Sequence, residues 1–131
     1  MKAIRAELTG VKDALSPLAR ALDRINDYLL REKIMNTYTD YLRHDIRLVL
    51  LRLLADMPGY RANSSVLNTA LDHHGHSTSR DQTKTELHWL AEQSAVTLND
   101  IGPILVATLT ERGQDIAAGR ARVPGIQRPG A

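Results

Sequence analysis

Hydrophobic positions near the start of the chain recur at alternating spacings of four and three: Ile4, Leu8, Val11, Leu15, Leu18, Leu22, Ile25 and Leu29. That rhythm is a heptad seam, and it predicts an amphipathic helix over residues 1–34 whose apolar edge either pairs with a second copy or docks on the rest of the chain. The two helix breakers, Gly10 and Pro17, both fall at the outer c position. Proline inside a helix costs about 3 kcal/mol, so Ser16 and Pro17 mark either a kink or a fresh start with Ser16 as cap. In the second case only two heptads remain, short of the three or four a sustained coiled coil uses.

A second helical pattern follows, with Tyr38, Tyr41, Leu42, Ile46, Val49, Leu50, Leu53 and Leu54 on one face; it predicts a helix over residues 37–56, ended by Pro58 and Gly59. Asn63 or Ser64 can cap the next helix, whose apolar face is Val66, Leu67, Ala70 and Leu71 and which Gly75 ends. After a turn over residues 74–79, Ser79 and Gln82 have the spacing of a capping pair, and Thr83, Leu87, Leu90, Ala91 and Ser94 share one face of a helix that begins at Arg80. Val96 and Leu98 then alternate with Thr97, turn residues Asn99, Asp100, Gly102 and Pro103 follow, and residues 104–109 return as a β-branched run, which together predict a two-stranded hairpin. Thr110 caps a last helix over residues 111–118, with Glu111 in its first turn and Gly119 at its end. The two helices around residues 74–79 form a helix-turn-helix, and the order of elements predicts a mainly α fold with a small β-hairpin: a winged helix-turn-helix over residues 35–119, preceded by the long heptad helix and followed by a basic, extended tail over residues 120–131.

The residues that fill this pattern resemble a family of small winged-helix-like proteins of Mu-like phages and prophages. The resemblance spans roughly residues 35–129 and rests on the run Arg47-Leu48-Val49-Leu50-Leu51-Arg52-Leu53-Leu54-Ala55, on Pro58-Gly59-Tyr60, Ser79-Arg80-Asp81-Gln82, Trp89-Leu90-Ala91-Glu92-Gln93 and Leu109-Thr110-Glu111-Arg112-Gly113, and on Gly119-Arg120-Ala121-Arg122-Val123-Pro124-Gly125. It implies a phage origin and a winged-helix fold, without catalytic residues or an assigned role. Members of that family begin near the position of Met35. The preceding stretch, Leu18-Ala19-Arg20-Ala21-Leu22-Asp23-Arg24-Ile25-Asn26-Asp27-Tyr28-Leu29-Leu30, resembles the coiled-coil end of another small Mu-like phage protein, one that carries a membrane anchor. A fusion of the two would explain a methionine at position 35 and makes another phage protein a candidate partner.

Composition narrows the functional classes. The 131 residues include no cysteine, which excludes disulfides and thiolate metal sites, and no phenylalanine, so the core is expected from leucine, isoleucine, valine and alanine with Trp89 and the four tyrosines as its aromatic members. No apolar run approaches the length of a membrane span and no signal peptide is recognisable, which points to a protein of the bacterial host's cytoplasm without membrane contact. A pI near 9.2 suggests nucleic acid, yet the charge is unevenly distributed. Residues 1–34 carry +2, residues 35–119 carry −3, and residues 120–131 carry +3 from Arg120, Arg122 and Arg128.

The candidate chemistry is therefore recognition rather than catalysis. Arg80, Gln82, Lys84, Thr85 and His88 occupy the outer face of the presumed recognition helix, where Arg80 or Lys84 would reach guanine and Gln82 adenine in the major groove of double-stranded DNA. Arg120 and Arg122 would follow the backbone as a basic arm; alternatively Val123 or Ile126 packs the tail on the domain. Phosphate contact supplies most non-specific affinity, and Asp81, Glu86, Glu92 and Asp100 oppose it, so two copies joined through Leu8, Val11, Leu15, Leu18, Leu22, Ile25 and Leu29 are expected to bind better than one. His73, His74 and His76 near Asp72 lack the spacing of a metal site and read as cap and turn residues, so neither metal nor cofactor is expected. Asp81, Glu86 and Glu92 read as solvated partners of Arg80 and Lys84, which leaves no acid–base pair for an enzyme. Two readings remain: a dimeric phage DNA-binding protein acting in transcription control or viral DNA handling, and a non-catalytic adaptor in which the same fold docks on protein.

Overall fold

A computed structural model describes the backbone of residues 2–130 and the side chains of residues 16–130. The elements are α1 (Lys2–Asp56), a single 3-10 turn (Pro58–Tyr60), β1 (Arg61–Asn63), α2 (Ser64–His73), α3 (Arg80–Glu92), β2 (Val96–Ile101), β3 (Ile104–Leu109) and α4 (Glu111–Ala117). The chain divides into two compact units, Met1–Thr39 and Asp40–Ala131, so that α1 contributes residues to both. It is a mainly helical protein with one small antiparallel sheet.

In the first unit α1 passes through Pro17 and continues past residues 34–37. Of the alternatives at Ser16 and Pro17, the fresh start is absent, and so is the separate start near Thr37: helix is continuous from Lys2 to Asp56, and beyond Pro17 no residue opposes its propagation strongly. Leu18, Leu22, Ile25 and Leu29 of the seam lie 54–58% exposed. Leu8, Val11 and Leu15 lie outside the residues whose side chains are described. Leu30, Ile34, Met35 and Tyr38, which the heptad does not include, are also more than half exposed.

The second unit holds the core. Ile46, Leu48, Leu50, Leu51 and Leu54 of α1 meet Leu67 and Leu71 of α2, Leu87 and Leu90 of α3, and Val96, Ala107 and Leu109 of the sheet. The tyrosines take no part: Tyr38, Tyr41 and Tyr60 are exposed, and only Trp89 packs against the cluster. Aliphatic side chains make up most of the centre, joined by the buried Thr83, Glu86 and Arg47, and the phenol groups keep their hydration at the surface.

The sheet has three strands in the order β1-β3-β2, one more than the hairpin the sequence pattern predicts. β1 pairs antiparallel with β3 from Arg61 opposite Thr108 to Asn63 opposite Val106. It escapes sequence reading because three residues cannot display a period of two. β2 pairs with β3 from Val96 opposite Leu109 to Ile101 opposite Ile104, so Asn99 and Asp100 belong to the ladder and the turn is reduced to Gly102 and Pro103. β3 alternates as expected for a strand with one buried face, with Leu105, Ala107 and Leu109 inside.

Caps set the helix boundaries. The Asn63 side chain accepts from the amide of Val66, Ser79 from that of Gln82, and Thr110 from that of Gly113. Ser94 leaves the helical face: α3 ends at Glu92, Gln93 caps it, and Ser94 turns with φ 61° into β2. Residues 120–130 do not form an extended arm. Val123 and Ile126 are buried in the core, and the Gln127 amide donates to the carbonyl of His44 at 3.1 Å.

Candidate nucleic-acid interface

The face that α3 turns away from the core follows from which of its residues are buried. Thr83, Glu86, Leu87 and Leu90 point inward, at spacings of three, one and three, which leaves Arg80, Asp81, Gln82, Thr85 and His88 exposed on the other side. Besides the leucines they share in the core, α2 and α3 are joined by a polar staple. Asn68 Nδ2 donates to the carbonyls of Thr78 (3.0 Å) and Ser79 (3.2 Å) and to Thr83 Oγ1 (2.8 Å), which fixes the connection and the entry of α3. No spacing in the sequence marks Asn68 for this role.

Lys84 is the link between α3 and the hairpin. Its ammonium donates to the carbonyl of Pro103 in the β2–β3 turn at 2.5 Å, so one of its three donors is committed within the unit. Ser64, Ser65, Arg80, Asp81, Lys84 and Pro103 border an open cleft of about 230 Å³ between the start of α2, the start of α3 and the turn. The Thr85 hydroxyl donates to the Asp81 carbonyl at 2.9 Å, leaving its lone pairs as acceptors. Arg80, Gln82 and His88 make no side-chain hydrogen bond or ion pair among the described residues, and their donors face solvent.

Of the sequence-predicted residues, the five on α3 come together and the two tail arginines do not join them. Arg120 and Arg122 border a different, smaller cavity of about 120 Å³ at the end of α4, with Ile116, Val123, Ile126 and Arg128. Arg120 Nε donates to Asp115 Oδ1 at 3.0 Å. The expected arm is therefore folded back, held by the burial of Val123 and Ile126.

Glu86 departs furthest from expectation. It is 3% exposed rather than solvated, and its partner is Arg47 of α1, itself 8% exposed, whose Nε lies 2.5 Å from Glu86 Oε2. Arg43 Nε approaches the other oxygen at 3.6 Å. The Arg47 guanidinium stacks on Trp89 with 3.7 Å to the ring centroid, and its Nη1 donates to the carbonyl of Gly125 at 2.9 Å. One cation thus ties α1, α3 and the C-terminal segment together, its charge paired with Glu86 and an Nη1 donor given to the Gly125 carbonyl. Gly125 adopts φ +97°, and a Cβ there would stand 2.8 Å from Trp89. That close approach explains a glycine after Pro124.

The histidines play local parts. His74 Nδ1 lies 2.9 Å from the Ala70 carbonyl, and His76 Nε2 lies 2.6 Å from Asp45 Oδ2, joining the α2–α3 turn to α1. Among the described residues no group of three or more histidine and carboxylate side chains is placed to hold a metal ion. Among those residues, too, no helix is long and apolar enough to cross a membrane.

No family model matches the sequence. The chain is 50% identical over 90 residues to the uncharacterised protein gp26 of Escherichia phage Mu, a match covering 69% of this chain and 93% of that one. It is 36% identical over 94 residues to an uncharacterised protein of Haemophilus influenzae, covering 67% of this chain and 91% of that one. Both relatives are matched over nearly their whole length, and this chain belongs to the phage Mu gp26 family.

Proposed function

We propose that residues 40–130 are a winged helix-turn-helix that binds double-stranded DNA, serving a phage in transcription control or in handling viral DNA. The reading is supported by the order helix, short strand, two helices, hairpin, by the sheet order β1-β3-β2, and by the bond from Lys84 of α3 to Pro103 in the hairpin turn. The single observation that carries it is the outer face of α3. Arg80, Gln82 and His88 stand there as unengaged donors, next to a lysine anchored to the hairpin turn, on a helix whose opposite face is buried. An arginine can donate twice to guanine O6 and N7, and a glutamine can donate to adenine N7 while accepting from its N6, which suits Arg80 and Gln82 to those edges. Kinship with phage Mu gp26 supports the phage setting. No catalytic step is assigned, since Glu86, the one buried carboxylate of α3, is consumed by Arg47.

The test is a titration of the full chain with phage DNA and with random duplex of equal length, at low and at physiological salt. Binding is expected to weaken with salt and to favour some phage sequence. Arg80→Ala should cost about 1–3 kcal/mol of that binding and relax the preference, with secondary structure unchanged. The competing reading, a protein-docking adaptor, draws on the exposed Leu18, Leu22, Ile25 and Leu29. Absence of binding at low salt would favour it.

A further inference from the structure

The heptad seam of α1 has a residue order that discriminates between helix stoichiometries. Taking Leu8 as an a position, the a sites are Leu8, Leu15, Leu22 and Leu29, all leucine, and the d sites are Ile4, Val11, Leu18 and Ile25, three of them β-branched. Two-stranded parallel coiled coils favour the reverse, β-branched side chains at a and leucine at d. Leucine at a with isoleucine at d shifts the preference to higher-order bundles, because the angle at which each knob enters its hole differs between the two sites.

The flanking e and g positions agree. In a bundle of more than two helices they lie partly inside the interface. Between residues 14 and 28 they are Ala14, Ala19, Ala21, Asn26 and Tyr28, with no charge among them, whereas Arg20, Asp23, Arg24 and Asp27 fall at the outward b, c and f positions. Small alanines permit the close approach of neighbouring helices. Orientation follows from the first half of the seam: g of one heptad faces e of the next on a parallel neighbour, and those sites hold Glu7 and Lys12. The seam stops at the next two sites, where Glu32 and Asn36 replace apolar residues. On the described part of the seam, Leu18, Leu22, Ile25 and Leu29 are each more than half exposed, although helical backbone runs through all of them, so a pre-shaped apolar edge stands without cover.

We infer that the occupant of this edge is the same helix from other copies of the chain, and that Met1–Thr39 assembles a parallel four-helix bundle rather than a pair. Four copies would then carry four α3 helices on one assembly. The inference does not depend on what α3 binds, since its readout is mass.

Sedimentation equilibrium of the full chain is expected to give about four times the 14.6 kDa chain mass. A monomer would overturn self-association, and a dimer or trimer would overturn the four-helix assignment. A seam variant with Leu15→Ile, Leu22→Ile, Leu29→Ile and Ile25→Leu restores the two-stranded order and should halve the mass; an unchanged tetramer would show that the a and d identities do not set the number. Leu22→Glu with Ile25→Glu should give a monomer whose Asp40–Ala131 unit still unfolds cooperatively. A persistent tetramer in that variant would place the interface elsewhere and also overturn the inference.

Discussion

Arg47 and Glu86 show how a charged residue can occupy a core position. Each stands where helical spacing calls for an apolar side chain: Arg47 sits between Ile46 and Leu48, and Glu86 between Thr83 and Leu87 on the buried side of α3. The spacing of Glu86 is legible in the sequence, but its charge points to the surface. What overrides that expectation is a partner 39 residues away in the chain, which no local pattern displays. A buried pair of this kind is weak evidence for net stability, because desolvation of both charges offsets their attraction. Removing one member is another matter. Glu86→Ala leaves a buried, unpaired guanidinium and should cost about 3–5 kcal/mol. Arg43→Ala, which removes the more distant and more exposed partner, should cost no more than about 1 kcal/mol. Urea denaturation of both variants reads the difference as a shift in midpoint at unchanged slope; equal shifts would show that Glu86 does not depend on Arg47.

At the level of elements, local chemistry predicted most boundaries. Ser79 starts α3 and Thr110 starts α4 because each offers a hydroxyl to an otherwise unpaired amide, and that signal lies within four residues. Elements defined by long-range pairing escaped: β1 exists because β3 offers it a free edge, and the extent of β2 reflects the ladder rather than the turn propensity of Asn99 and Asp100. The docking of α4 on the hairpin belongs to this second class. Its buried Gly113 lies so close to the chain at Ala95 that a Cβ would stand 2.1 Å from the Ala95 carbonyl oxygen and 2.5 Å from Leu109 Cδ1. Neither neighbour yields cheaply. The carbonyl accepts from the amide of Thr110, and Leu109 is part of the core. Gly113→Ala is helix-favouring by about 1 kcal/mol on propensity alone, yet it should destabilise the protein by about 2 kcal/mol or more, as overpacking against backbone does. Thermal unfolding checks the sign: a raised melting temperature would mean that α4 can shift on the sheet without loss.

For the molecule as a whole, the C-terminal segment decides where charge and core lie. Read as a tail, residues 120–131 leave a mildly acidic domain with a basic appendage. Folded back, they give Asp40–Ala131 ten basic and ten acidic residues, so the excess of +2 belongs to Met1–Thr39. The candidate DNA face then relies on the local placement of Arg80 and Lys84 rather than on a general positive field. The segment's absence of periodicity concealed its packing, since two isolated apolar residues, Val123 and Ile126, carry no pattern. Truncation after Gly119 distinguishes the two pictures. It removes both buried side chains, uncovers Trp89 and withdraws the Gly125 carbonyl from Arg47, while deleting three arginines. Burial of a valine or isoleucine is worth about 1.5–3 kcal/mol each, so the truncated chain should lose roughly 3–6 kcal/mol, which for a domain of this size lowers the melting temperature by well over 10 °C. A flexible tail would leave the melting temperature within a degree or two and change only the affinity for polyanions. Because the guanidinium that loses its carbonyl acceptor is the one paired with Glu86 on α3, the truncated chain should also bind DNA less well than the loss of distant arginines explains, with the deficit persisting at salt concentrations that screen those arginines.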